Sequence, residues 1–408
     1  MAVLSGLKVV EMPGGIASAV CGLHLVDAGA DVVRIEPPTG DNMRTYGPEV
    51  DGESAVWRAL NMGKRSATID LDDAKVEAAV ERMFAGADVV IQEVAAGVSP
   101  PWDRDRLDSI NPRLVRCLVS AYGSDGPDSG APATELEVQG AAGMMWFLGR
   151  FGGPPVRMGA DVAYVNTGIH AALAVMAALL EREESGLGQD VEVSMAGSLL
   201  SLGSTWMVDV ANPDQYTGGA TAPYDPQAFG YRGKDRQLIF GLLGRRGDRV
   251  EPWTKLCHAL GIEAILEDPW MAEHGSGFVG VGGSADELRP LVEFAVQERK
   301  AEDVLELVFE IGGYGAPFMS YEDLFGETPH PQVAASGNAE PLPGTGRIGS
   351  IRSPWIGPPD LRLGDLAPSA PAGAHTRAVL RECGLGVDEI DEIVTGVQRP
   401  ATGETDGR

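Results

Sequence analysis

Cysteine is scarce in this chain, and basic residues are in the minority. The four cysteines, Cys21, Cys117, Cys257 and Cys383, are scattered without paired spacing. That argues against a disulfide framework and against a zinc site, and it fits a reducing compartment. Lysine and arginine number 32 against 59 aspartates and glutamates, a formal charge of −27. Such a surface favours solubility and repels nucleic acid and anionic lipid. It opposes any anionic ligand too, so a site for one must supply local donors. The opening residues, MAVLSGLKVVEM, lack the basic start and long apolar run of a secretory signal. The most apolar stretch, Ile169–Leu180, is 12 residues, too short to span a bilayer. These absences point to a soluble cytoplasmic protein with no metal, nucleic acid or membrane partner. Internal repeats and low-complexity blocks are absent as well.

What is present is room for two domains. A chain of 408 residues with 44% hydrophobic and 22% charged content is an ordinary soluble enzyme by composition. The first 120 residues alternate strand and helix signals. Leu7-Lys-Val-Val-Glu-Met, Asp31-Val-Val-Arg-Ile-Glu36, Ala67-Thr-Ile-Asp-Leu, Asp88-Val-Val-Ile and Leu114-Val-Arg-Cys-Leu-Val-Ser are short apolar runs. Between them lie helical patterns at Ala17–Gly29 and Lys75–Ala85, which implies βαβ units and a mainly parallel sheet. Helix dominates from Leu136 to Glu184, broken near Gly152–Pro155. Residues 212–226, rich in Gly, Pro, Thr and Asp, read as a linker. A strand at 237–243 with helices at Glu251–Leu260 and Ala285–Ile311 reads as a smaller α/β domain. A second Pro/Gly-rich stretch, Pro341–Gly373, leads to a helix near His375 and a polar tail, Thr402–Arg408. The expected fold is therefore α/β. A Rossmann-like large domain spans residues 1–200 and 330–408, with a linker at 201–227 and an inserted small domain at 228–325.

A series of short motifs carries a resemblance. Ala28-Gly-Ala-Asp-Val-Val-Arg-Ile-Glu36, Asn61-Met-Gly-Lys64-Arg65-Ser66, Ile69-Asp-Leu, Asn111-Pro-Arg-Leu114 and Gly123-Ser-Asp-Gly126-Pro127 come first. Ser185-Gly-Leu-Gly188-Gln189, His330-Pro-Gln-Val and Ala372-Gly-Ala-His375-Thr376 follow in order. With Gly159-Ala-Asp-Val-Ala-Tyr164-Val-Asn-Thr-Gly168-Ile-His170, they make nearly the whole chain similar to the class III CoA-transferases. That group includes formyl-CoA transferases, carnitine CoA-transferases and α-methylacyl-CoA racemases. The resemblance implies an interlocked dimer, each chain threading a ring in the other. It also implies acyl-CoA and a carboxylic acid as substrates, CoA passing through without a permanently bound cofactor.

In the transferases an aspartate four residues before that glycine carries the acyl chemistry; here the position is Tyr164. The ping-pong route needs a nucleophile that contains a carbonyl, because CoA must attack the enzyme's own acyl group. A phenol has none, and with a reference pKa near 10 it is a poor nucleophile at neutral pH. Asp161 and Glu135 are the nearby carboxylates able to substitute, although Asp161 also suits a helix N-cap and Glu135 a helix start. The racemase two-base positions are Thr134 and Tyr164 here, which argues against racemisation. His170 reads as a packing residue. The resemblance places CoA binding at Ile16, Lys64, Arg65 and Ile69, with Lys64 and Arg65 as phosphate donors. Asp70, Glu93 and Arg104 complete that set. The family's usual arginine in the segment after the fourth strand is missing from Gln92–Gly97, and Arg104 or Arg106 is the candidate replacement.

Two function classes follow. The first is a CoA-transferase, in which this chain is the aspartate-lacking subunit beside a paralogue that holds the aspartate. A homodimer using Asp161 or Glu135 is the variant of that reading. The second is a non-enzymatic acyl-CoA-binding protein.

Overall fold

Apolar runs with little alternation, such as Val9-Val10, Val32-Val33 and Val89-Val90, suit strands buried on both faces. The structure, a computed structural model, describes residues 2–94, 98, 102–145, 154–203, 230–243, 250–274, 288–336, 339–341, 348–352 and 366–397. Much of the expected linker and of the Pro341–Gly373 stretch lies outside the described residues. So do residues 95–97, the break at 151–153 and the tail. The chain divides into two compact units: residues 1–145, 157–216 and 329–408, and residues 146–156 and 217–328.

The first unit is built on six parallel strands: β1 (Lys8–Glu11), β2 (Asp31–Glu36), β3 (Arg65–Thr68), β4 (Val89–Glu93), β5 (Val115–Ser120) and β6 (Asp190–Ser194). Their order is β3-β2-β1-β4-β5-β6. Alternate residues serve opposite faces. Val9, Val32 and Val89 join one core with Cys21 and Leu25 of α1 (Ile16–Asp27) and with Ala171 and Val175 of α5 (Val162–Ser185). Val10, Val33 and Val90 join the other, against Val80 and Phe84 of α2 (Glu77–Ala85) and Leu107 of α3 (Arg104–Ile110). Full burial of each such side chain is worth about 1.5–3 kcal/mol, so the two faces together hold the sheet. The C-terminal segment closes this second face: Ser66 Oγ accepts from Gly373 N–H at 2.7 Å, and Thr68 N–H donates to Thr376 Oγ1 at 2.9 Å.

The second unit has an antiparallel sheet of β7 (Tyr231–Arg232), β8 (Gln237–Leu242) and β9 (Gly313–Pro317). Three helices, Val250–Leu260, Leu288–Val296 and Ala301–Glu310, share its core with Trp253 and Phe240 at the centre. The single helix expected at Ala285–Ile311 is two helices parted by a turn.

Other boundaries moved as well. The third strand lies two residues earlier than expected, and the broad 136–184 helix resolves into α4 (Glu135–Ala141) and α5. At 24 residues α5 is twice the apolar stretch visible in the sequence. With an 18-residue window of mean hydropathy 1.6, it is long and apolar enough to cross a membrane by length and composition. One face of it packs on α1 and the sheet, through Ala171, Ala172, Val175, Ala178 and Leu179. It ends at Gly186 in the left-handed conformation, φ 77°, a backbone that glycine adopts at no steric cost.

The crossing of α1 and α5 depends on Gly168. A Cβ there would lie 2.5 Å from Val20 Cβ and 2.6 Å from Ala17 O. Alanine would gain about 1 kcal/mol of helix propensity, but the crowding costs about 1–3 kcal/mol. Gly168→Ala is therefore expected to lower the urea midpoint of the purified protein; an unchanged or raised midpoint would show that the helices can part at this point.

Candidate functional site

In an open parallel sheet, ligands bind beyond the carboxyl ends of the strands where the strand order reverses. Here that point lies between β1 and β4. The chain leaves β1 through Met12, Pro13, Gly14 and Gly15 into α1, and β4 ends at Glu93. Gly15 N–H donates to Glu93 Oε2 at 2.8 Å, so the carboxylate rests on the N-terminus of a twelve-residue helix. Both glycines sit where a side chain would crowd its neighbours. A Cβ on Gly14 would lie 2.6 Å from Ser18 Oγ, and one on Gly15 would lie 3.0 Å from Glu93 Oε1.

Tyr164, third residue of α5, packs half-buried against the cluster of Ile16, Val20 and Trp57 beside the same turn. Burial pushes its phenol above the ordinary value. The Glu135 backbone N–H acts in the opposite sense, while the charges of Glu93 and Glu135 add to the rise. The group stays protonated at neutral pH.

Glu135 begins α4 and is buried. Its Oε1 accepts from Ala163 N–H at 2.7 Å and Gln139 Nε2 at 2.8 Å, and its Oε2 accepts from Tyr164 N–H at 2.9 Å. A carboxylate 28 residues away thus caps the first turn of α5, satisfying N–H groups that a helix start leaves open. Asp161 was the expected cap. It stands at the cap position but makes no capping bond; its carboxylate pairs with Arg157 at 3.0 Å instead. The reason is geometric: Glu135 already occupies the N–H groups. Thr134, at the racemase-like position, is engaged with Glu137, whose Oε2 accepts from the Thr134 N–H at 3.0 Å and from its hydroxyl. His170 lies against its own helix, Nδ1 2.9 Å from Asn166 O.

These elements agree with what comparison with known proteins finds. The family model described as CoA-transferase family III matches residues 4–376. The chain belongs to that family. A succinate–glutarate CoA-transferase of Agrobacterium fabrum is 30% identical over 401 residues, 93% of this chain and 95% of that one. An acetyl-CoA:oxalate CoA-transferase of Acetobacter aceti is 28% identical, covering 81% and 83%. Among solved structures, a CAIB/BAIF family protein of Brucella suis superposes with TM-score 0.78 at 27% identity, over 94% of this chain and 99% of that one.

Within this class III CoA-transferase chain, the expected phosphate donors make internal contacts. Lys64 Nζ is buried, 2.9 Å from Glu11 Oε2, and donates to Ala19 O at 2.8 Å and Asn61 Oδ1 at 3.1 Å. Burial pulls its pKa down to about 8, against the upward pull of Glu11. Arg65 is held by Asp31 at 2.6 Å and Glu382 at 2.9 Å. Arg104 donates to Leu114 O at 3.0 Å and pairs with Asp108 and Asp190. Leu114 and Asp190 stand at the amino ends of β5 and β6, the opposite end of the sheet from the crevice. Arg106 pairs with Glu77 and Glu81. Ile69 is wholly inside the second core. Asp70 accepts from Asp72 N–H at 3.2 Å within a turn. Of the expected residues, Ile16, Glu93, Glu135 and Tyr164 are brought together, and Asp161 stands at the same helix start paired with Arg157; the other five binding positions, Lys64, Arg65, Ile69, Asp70 and Arg104, are engaged elsewhere.

One group escaped the sequence reading. Arg34, in the middle of β2 and fully buried, pairs with Glu11 and with Asp41 at 2.7 Å, and donates to Gly14 O at 2.6 Å. Its guanidinium lies 5.4 Å from the Trp57 ring centre, and that of Arg44 lies 4.0 Å from it. The signal was available: an arginine inside an apolar strand run needs buried carboxylates, and Glu11 sits at the matching place on β1. No cluster of metal-ligating side chains is found among the described residues.

Glu135→Ala leaves two helix-start N–H groups buried without an acceptor and is expected to cost about 1–3 kcal/mol in urea unfolding. Asp161→Ala removes a partly exposed ion pair and is expected to change little. Equal costs would overturn the assignment of the cap.

Proposed function

We propose that the protein transfers CoA from an acyl-CoA donor to a carboxylic acid acceptor, as a dimer in the cytoplasm. The carrying observation is the arrangement of side chains at the strand-order reversal. There a family III chain brings a carboxylate, Glu93, beside the tyrosine at the expected nucleophile position. CoA is substrate on this reading, with no permanently bound cofactor. The names of the relatives, with succinate, glutarate and oxalate among their substrates, favour small dicarboxylic acids. A domain division at about 200, 228, 325 and 330 accompanies the proposal.

The dimer draws support from α5. Val165, Ile169, Leu173, Met176 and Leu180 recur every three or four residues and are 40–74% exposed. A stripe of that spacing suits packing against another helix. A second reading of the assembly rests on Tyr164 itself: a phenol has no carbonyl to carry CoA, which favours a non-identical partner chain that bears an aspartate.

Thioester exchange between succinyl-CoA and glutarate or oxalate, followed by mass spectrometry, tests the activity; no exchange, alone or co-expressed with a family III paralogue, would sink it. Leu173→Glu is expected to shift the protein to monomer in sedimentation. An unchanged mass would remove α5 from the interface.

A further inference from the structure

We propose that Glu93 is the nucleophilic carboxylate of this chain, replacing the acyl-carrying residue that Tyr164 cannot be. The inference rests on the CoA-transfer reading above and deepens it. Glu93 and Glu135 act on the Tyr164 phenol, and Asp161 precedes it on the same helix start. Glu135 is buried with both oxygens held by the first turn of α5, so an acyl group on it would release that helix start. Asp161 is turned to Arg157, away from the capping position. Glu93 differs from both. It is only partly buried, and its single hydrogen bond among the described residues is to Oε2 from Gly15 N–H. Oε1 accepts none there, and the carboxylate lies against Gly15, where a Cβ would come within 3.0 Å of Oε1.

The two oxygens therefore have different tasks. Oε1 adds to the thioester carbonyl carbon of the donor; the C–S bond breaks and CoA leaves as thiolate. The product is a mixed anhydride joined through Oε1. Thiolate then adds to Cδ, while Oε2, now a carbonyl oxygen, develops negative charge against the Gly15 N–H. Donors at a helix N-terminus suit such charge. The Cδ–Oε1 bond breaks, the donor acid departs as carboxylate with that oxygen, and Glu93 holds CoA as a thioester. The acceptor carboxylate reverses both steps and leaves one of its oxygens on Glu93. No proton or electron is gained or lost over the cycle. Tyr164, kept protonated by burial, stands beside Glu93 as a neutral hydroxyl, so the carboxylate faces no competing anion from that side.

The test uses the isolated full chain with succinyl-CoA as probe. Hydroxylamine quenching and peptide mapping are expected to find a hydroxamate at Glu93. Turnover with oxygen-18 glutarate is expected to place the label in the same side chain. Glu93→Gln retains an acceptor for the Gly15 N–H and so the fold, but loses both labels, and thioester exchange falls to background. Asp161→Asn retains them. A hydroxamate on any other residue, with exchange intact, overturns the proposal and leaves CoA transfer standing. So does exchange that appears only with an aspartate-bearing second chain while Glu93 stays unlabelled. Absence of exchange in every assembly removes the CoA-transfer reading together with it.

Discussion

The buried contact of Arg34 with Glu11 and Asp41 is the constraint on which the rest of the site depends. Charges removed from water are costly unless fully paired, and breaking such a group by removing one member typically costs about 3–5 kcal/mol. Here Arg34 and Lys64 are matched by Glu11 and Asp41 inside the carboxyl ends of β1 and β2. Arg34 reaches on to Gly14 O, which ties the turn after β1 to the neighbouring strand. That turn presents the Gly15 N–H to Glu93. The network thereby fixes the backbone of that turn.

A second set of contacts determines what faces the crevice from the other side. Gly168 lets α5 approach α1 closely, and Glu135 holds the first turn of α5 from a separate helix. With both ends of that turn restrained, Tyr164 has one place to go, against Ile16, Val20 and Trp57. Glu135 is thus held by the first turn of α5 and Asp161 by Arg157, while the strand-end carboxylate of Glu93 is bonded to the Gly15 N–H. A surface charge of −27 opposes an anionic thioester at long range. The cations expected to offset this are consumed by internal pairs, which leaves the helix N-terminus after β1 as a local source of positive potential.

How much was legible in the sequence differs between fold and site. Strand positions were readable because buried parallel strands are short apolar runs, and Asp31–Glu36 coincides with β2. Helix limits were less so: the start of α5 follows Asp161, which read as a helix N-cap, but the separation of α4 from α5 did not show in the run read as helix from Leu136 to Glu184. For the site, residue types were visible but their partners were not. Asp161 had the right chemistry and position for a cap, yet Glu135, distant in sequence, occupies the donors.

By itself the sequence determined the α/β class, the order of the strands' segments along the chain, the family, and the presence of tyrosine at position 164. Each depends on local pattern or on residues in fixed order, which one chain carries in full. Only the tertiary structure decided that Lys64, Arg65 and Arg104 are engaged within the fold, that Glu135 is a cap, and that Glu93 meets the Gly15 N–H. Those outcomes depend on which charges meet across strands and helices. Pairing between groups far apart in sequence is set by packing, and spacing along the chain does not encode it.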